Sequence, residues 1–448
     1  MNKNIMIIGA GPTGLGAGYR LKELGYQDWH IAEKNSYAGG LAASFVDKEG
    51  FTWDIGGHVI FSHYKRFDRL IDLAVGNDYL EHMRESWIRF QKQWVPYPFQ
   101  NNLRYLPKKI LYECLQGLLE VSRKKQEVPA SDFKKWIHSI FGKGVAKYFM
   151  LPYNKKVWAT PLETMSQDWI AERVSVIDFE RVLKNVILEQ DDINWGPNNT
   201  FKFPLNGGTG EIFRQTAKRF EDHIGYGQEI QWIDADTKKV GMNSGQIRNY
   251  DWLISTMPLD VLISKITDKP EQIAKASEKL HANKGLVVGL GFNRPDPSKK
   301  CWVYFPEDTS PCYRATYFSN YSPHNVPDSD HQFSLMGEIS FPKGQCVDTD
   351  LAIEKTIQGY IDTGLIEAKD RKNIQSVHTI DIDYSYPVPT LERDKALAII
   401  QPWLESKHIY SRGRFGAWKY EVANMDHSAV QGMEIIDKLL LGHDETMC

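Results

Sequence analysis

Four apolar residues in a row, Ile5-Met6-Ile7-Ile8, follow a polar start, and the run stops at Gly9-Ala10-Gly11-Pro12. A short unbroken apolar run ended by glycine predicts a strand buried on both faces, as in a parallel sheet. The period then changes. Leu15, Leu21 and Leu24 share one face of a helix, and Gly25 supplies its C-terminal stop. A second strand, Trp29-His30-Ile31-Ala32, ends at Glu33 and completes a β-α-β unit. From about 108 to 190 the period stays helical. Ile110, Leu111, Cys114, Leu115, Leu118 and Leu119 mark one helix. Phe133, Trp136, Ile137, Ile140 and Phe141 mark a second, for which Ser131 is the expected N-cap. Phe179, Val182, Leu183 and Val186 mark a third, followed by a polar stretch at 191–199. Beyond 200, short strands alternate with turns, at 228–233, 252–255, 285–292, 301–305, 334–339 and 376–382. A helix is expected near 349–363, and 414–441 reads as a turn leading into a closing helix.

The composition narrows the class. Of 448 residues, 42% are hydrophobic and 25% charged, an ordinary globular balance; at roughly 150 residues per domain, about three domains, or two with large insertions, are expected. The net charge of −3, with no block of like charges, argues against a binder that neutralises nucleic-acid phosphates. No apolar run approaches the ~18 residues of a membrane span. The apolar stretch near the N-terminus falls short of the ~7–15 residues of a secretory core, so a cytoplasmic location is expected. Five cysteines, an odd number without a C-x-x-C pair, give neither a disulfide framework nor a metal site.

Gly9 to Gly14 fit G-x-G-x-x-G, with Pro12 and Thr13 between the last two glycines. Gly9 allows the tight turn, Gly11 lets a pyrophosphate approach the backbone, and Gly14 lets the helix pack close to the strand. The helix N-terminus then faces the phosphates. Glu33, followed by Lys34, stands 19 residues after Gly14 at the end of the next strand, where a carboxylate can accept ribose hydroxyls. Gly39-Gly40-Leu41 follows at the distance typical of FAD proteins of the glutathione-reductase type. Gly56-Gly57-His58 and the Gly207–Gly210 turn add further close backbone approaches, and the strand that includes Ser255 fits one that passes the cofactor. FAD is therefore expected rather than NAD. The fold class is α/β, a Rossmann-like FAD-binding domain with a helical insertion and an antiparallel β-sheet domain. The expected boundaries are 1–100 with 200–265 and 405–448 for the FAD domain, 101–199 for the helical substrate domain, and 266–404 for the sheet domain.

Longer anchors follow. They include Gly56-Gly57-His58-Val59-Ile60-Phe61-Ser62-His63, Trp94-Val95-Pro96-Tyr97-Pro98-Phe99-Gln100-Asn101-Asn102, and Pro152-Tyr153-Asn154 with Val157-Trp158-Ala159. Others are Asn194-Trp195-Gly196-Pro197-Asn198, Tyr313-Arg314-Ala315-Thr316 and Ser411-Arg412-Gly413-Arg414-Phe415-Gly416. Through them nearly the whole chain closely resembles the eukaryotic-type UDP-galactopyranose mutases.

The resemblance implies a flavin enzyme without net redox. Reduced FAD attacks the anomeric carbon of UDP-galactopyranose through N5, UDP leaves, and the sugar recloses as the furanose, with NADPH as external reductant. It also implies residue roles. Arg173 and Arg314 clamp the diphosphate, an arginine task because of its fork of donors. Tyr304, Tyr386 and Tyr420 bind phosphate. Tyr97, Phe99, Gln100, Phe149, Tyr153, Asn154 and Trp158 form the uridine pocket, and Asn198 sits on a closing loop. His58 lies against the flavin, and Arg84, Gly413, Arg414 and Asn424 are near flavin or sugar. Leu151, Lys155 and Met425 depart from the family pattern, and the resemblance puts them near the nucleotide or flavin edge. A mutase for another UDP-sugar, and an FAD-dependent amine-oxidase-like oxidoreductase, remain as alternatives. The oligomeric state is left open.

Overall fold

The computed structural model describes residues 3–123, 130–170, 178–193, 199–296 and 298–447. All four residues of the strand Ile5–Ile8 are buried. It is the middle strand of a parallel sheet in the order Ile409–Ser411, Trp252–Ser255, Ile5–Ile8, Trp29–Glu33, Ile224–Tyr226. Alternation along the strand separates two cores. Ile5 and Ile7, with Ile31 and Ile254, face the helices Pro12–Glu23, Lys65–Val75, Gly210–Lys218 and Met425–Leu441. Met6 and Ile8, with Leu253 and Ile409, face the helices Leu259–Lys265, Glu271–Ser277 and Arg393–Ser406. An unbroken apolar strand is thus accounted for by cover on both sides.

A second, seven-stranded sheet runs in the order Ile374–Val388, His281–Phe292, Phe333–Pro342, Arg314–Tyr317, Trp302–Tyr304, Ser86–Phe90, Gln93–Pro96. Its pairings are antiparallel except that of Trp302–Tyr304 with Ser86–Phe90, which is parallel. The helical unit packs Lys108–Ser122, Phe133–Val145, Leu151–Trp158 and Phe179–Ile187 around Phe99, Cys114, Ile137, Phe141 and Trp158.

Some expectations need correction. The strands within Ser86–Pro96 were assigned with the cofactor domain but join the seven-stranded sheet, because their hydrogen-bonding edge meets Trp302–Tyr304. The helices Glu271–Ser277 and Arg393–Ser406 were assigned with the sheet domain, but they bury their apolar faces in the core beneath the parallel sheet. The helix Phe133–Val145 is capped by Asp132, whose carboxylate accepts from the Lys135 amide, while Ser131 donates to that carboxylate.

Candidate active site

A cleft of about 770 Å³ opens at the C-terminal ends of Ile5–Ile8 and Trp29–Glu33, lined by Gly9, Gly11, Pro12, Thr13, Glu33, Lys34, Gly40 and Leu41. Gly9 has φ +98°, and a Cβ there would strike Thr256 Oγ1. A Cβ on Gly40 would come within 3.1 Å of the Gly11 Cα, so two glycine turns face each other across the cleft floor. Glu33 is buried. Its Oε2 accepts from the Ala10 amide at 2.7 Å and its Oε1 from the Asn35 amide at 2.8 Å. Burial pushes this carboxyl up, and the two amides pull it back only in part. A cradle walled by backbone, with a helix N-terminus at its floor and a carboxylate at its rim, fits a dinucleotide.

Gly14, Gly39, Ser255 and Gly413 do not line this cleft. Gly14 packs on the Gly9 turn, and Gly413 on Thr13. The Gly39 amide donates to the Ala10 carbonyl at 2.8 Å, which holds the Gly40-Leu41 turn in place. Ser255 is 0% exposed within the sheet, and Thr256, Met257 and Pro258 beyond it take the cleft positions. Away from the cleft floor, fully buried Asp54 accepts from Ser44 Oγ and from Thr209 Oγ1 at 2.7 Å, tying the Gly207–Gly210 turn to the strand Ser44–Val46. Burial pushes Asp54 up to about 7, against those hydrogen bonds.

A second cavity of about 730 Å³ meets the cleft at Leu41, His58, Arg414 and Met425. Gly56, Gly57 and His58 line it, together with Arg84, Tyr97, Gln100, Phe149, Tyr153, Asn154, Trp158, Tyr304, Arg314, Tyr386, Arg414, Tyr420 and Asn424. The fold therefore gathers these expected residues from the helical unit, the seven-stranded sheet and the closing segment around one space. Phe99 does not line it. It is fully buried behind Phe149, with the two rings stacked at 4.7 Å; Phe149 in turn stacks on Tyr153 at 5.3 Å. Arg173 and Asn198 lie outside the described residues. Leu151 and Lys155 are absent from the lining of either cavity, whereas Met425 lines both.

Arg314 is held by Glu338. Its Nε donates to Oε1 at 2.7 Å and its Nη2 to Oε2 at 2.9 Å, the bidentate geometry in which a guanidinium is most directional. The same carboxylate accepts from Tyr313 Oη at 2.7 Å and from the Gly57 amide at 3.1 Å. Burial would raise the Glu338 carboxyl, but Arg314 and these donors hold it below the ordinary range. Burial works against the Arg314 charge too, and Glu338 more than restores it. Beside this network, His58 is pulled down to about 3, first by burial, then by Arg414 and Arg314 against the opposing pull of Glu338. It is a neutral imidazole at neutral pH, and its buried Nδ1 has no hydrogen-bond partner among the described residues. An orphaned nitrogen at the junction of two cavities suits a polar group of a bound cofactor.

Aromatic edges build the far wall. Trp158 meets Trp169 at 5.1 Å and Tyr420 at 4.9 Å, and Tyr420 meets Tyr386 at 5.5 Å. Arg84 lies over the Tyr97 ring at 5.0 Å. Sequence reasoning missed Glu338, Tyr313 and Trp169 as members of this wall. Glu338 stands directly across the sheet from Arg314, and strand register carries no local sequence signal that would have found it. Among the described residues no His, Cys, Asp and Glu group is arranged to hold a metal ion, and no helix is long and apolar enough to cross a membrane.

Residues 12–340 match the family of flavin-containing amine oxidoreductases. A crystal structure of reduced UDP-galactopyranose mutase superposes with a TM-score of 0.96 at 44% sequence identity, covering 99% of this chain and 95% of that one. A putrescine oxidase bound to putrescine superposes at 0.69 with 14% identity, covering 98% of this chain and 99% of that one. A fatty acid isomerase from P. acnes does so at 0.63 with 15% identity, again over 98% and 99% of the two chains. The last two show the fold alone, since the same architecture carries both oxidase and isomerase chemistry.

Proposed function

Given that the chain belongs to the flavin-containing amine oxidoreductase family, we propose that it is an FAD-dependent mutase interconverting UDP-galactopyranose and UDP-galactofuranose without net redox. The observation that carries this reading is the junction of the two cavities. A cationic, aromatic-walled space, large enough for a nucleotide sugar, opens at His58 and Arg414 onto the cleft that fits FAD. The 44% identity to a UDP-galactopyranose mutase supports it over nearly the full length.

Bound and reduced, FAD supplies an electron-rich nitrogen that can displace UDP from the anomeric carbon, and it is regenerated within each cycle. The chain does the rest. Gly9, Gly11, Gly40 and Glu33 hold the dinucleotide by close backbone approach and a ribose-facing carboxylate. Arg314, already oriented by Glu338, retains the departing diphosphate, with Arg173 as its partner in that role and Tyr304, Tyr386 and Tyr420 supplying hydroxyls. Each charge-assisted hydrogen bond so formed contributes roughly 1.5–3 kcal/mol. Tyr97, Gln100, Phe149, Tyr153, Asn154 and Trp158 receive the uridine, aromatic faces packing on uracil. Neutral His58 accepts or donates one hydrogen bond toward the cofactor without adding charge. The enclosed site keeps the expelled nucleotide close enough to return. NADPH is the proposed reductant and the cytoplasm the proposed location, in keeping with four unpaired cysteines among the described residues.

The test compares two redox states of one preparation. Protein reduced with dithionite or NADPH under argon converts UDP-galactofuranose to UDP-galactopyranose, followed by chromatography, and the oxidised protein does not. Equal turnover by oxidised protein contradicts the proposal. So does amine-dependent peroxide release without sugar conversion, which supports the oxidase alternative.

A further inference from the structure

Lys156 is on the helix Leu151–Trp158, between the cavity-lining pairs Tyr153-Asn154 and Val157-Trp158. Its own side chain leaves the cavity and reaches the loop that follows Trp302–Tyr304. There Nζ donates to three backbone carbonyls, those of Phe305 at 2.9 Å, Glu307 at 3.0 Å and Ser310 at 2.7 Å. An ammonium carries three protons, so its donor capacity is spent on one loop. Among the described residues it makes no ion pair, and a half-buried lysine without one is costly to keep. The loop it grips is the connection between Tyr304 and Tyr313-Arg314, and Tyr304 stands directly opposite Arg314 in the sheet. The Tyr153 ring meets the Tyr304 ring edge-on at 5.4 Å across the seam.

We propose that Lys156 is a positioning residue that sets the distance between the uridine-binding helix and the hairpin bearing the diphosphate-binding Arg314. This rests on the nucleotide-sugar reading above. The helix Leu151–Trp158 belongs to the helical unit and the hairpin to the seven-stranded sheet, so their separation decides whether one ligand can engage both. A second tie secures the far end of the helix. Asn283 Nδ2 donates to the Val157 carbonyl at 2.9 Å, and its Oδ1 accepts from the Tyr386 amide at 2.7 Å. That tie holds the helix to the sheet, whereas of the two ties it is Lys156 that reaches the loop itself. Uridine, received by Tyr97, Gln100 and the helix side, stops short of Arg314 and does not sense the register. UDP spans the seam and does.

The experiment titrates oxidised, FAD-loaded protein with uridine and with UDP by calorimetry, for wild type, Lys156→Met and Lys156→Arg. In Lys156→Met, UDP affinity is expected to fall about tenfold while uridine affinity changes less than about twofold, so the gain from adding phosphates shrinks. Lys156→Arg keeps the charge but holds its donors in a plane that cannot meet three converging carbonyls. It guards against misfolding of the first variant and is expected to lose the same preference by about threefold. Parallel weakening of both ligands, or a wild-type UDP preference in both variants, overturns the proposal. Wild-type protein that binds UDP no better than uridine overturns the underlying reading and this inference with it.

Discussion

Arg314 shows how one side chain is made ready before its ligand arrives. Glu338 fixes two of its donors, and the same carboxylate takes the Gly57 amide beside His58, so the cation and the cofactor-side turn share one anchor. Arg314→Ala should lower kcat/KM for the proposed nucleotide sugar by roughly 10- to 100-fold, the loss of one or two charge-assisted hydrogen bonds, while flavin absorbance per protein stays at the wild-type level. Near-normal turnover would remove Arg314 from the site. Asp54 supplies a pH signature. Its folded value is raised from 3.8 to about 7 by burial, so between those limits the folded protein keeps a proton that the unfolded chain has released. Its contribution is fully present below about pH 4 and is lost as pH rises through about 7. Asp54→Asn should flatten this part of the melting temperature against pH curve between pH 4 and 7, read by scanning calorimetry. A slope identical to wild type would exclude Asp54 as its source.

Two helices set the position of the cofactor cleft. Pro12–Glu23 and Met425–Leu441 pack so closely that a Cβ on Gly432 would strike the Thr13 carbonyl and one on Gly16 the Ala429 carbonyl. Asn424, Met425 and Ser428, at the start of the closing helix, line the two cavities, so separating the helices moves one wall of the site away from the other. Gly432→Ala should therefore cost about 1–3 kcal/mol of stability through overpacking, and also weaken FAD retention. Gel filtration followed by the flavin-to-protein absorbance ratio measures the second effect. A ratio equal to wild type would mean that the clash relaxes away from the cleft.

Across the whole molecule, the FAD cleft is walled by elements of both cores of the parallel sheet and by the edge strand Ile374–Val388 of the seven-stranded sheet. A ligand in such a position binds only the assembled protein, so it stabilises by mass action. Stripping FAD should lower the melting temperature, and adding it back at about a hundred times its Kd should restore about 2.7 kcal/mol. Thermal melts with and without added FAD test this, and a melting temperature indifferent to FAD would argue that the cleft is not its site.

The β-α-β opening, the glycine turn and Glu33 were legible in the sequence because each is a local requirement. An apolar run needs cover on both faces, a phosphate-sized approach needs backbone without side chains, and both are written within a few dozen residues. The broader set from Tyr97 to Asn424 was legible through long motifs, and most of its described members meet at one cavity. What only the tertiary structure decided are the relations between distant segments. Glu338 faces Arg314 through strand register, Phe99 turns from pocket wall to the backing of Phe149, and Lys156 grips a loop 149 to 154 residues away. Such pairings depend on which edges and faces meet in the folded chain, and a hydrophobic pattern specifies that a face is buried without specifying its neighbour.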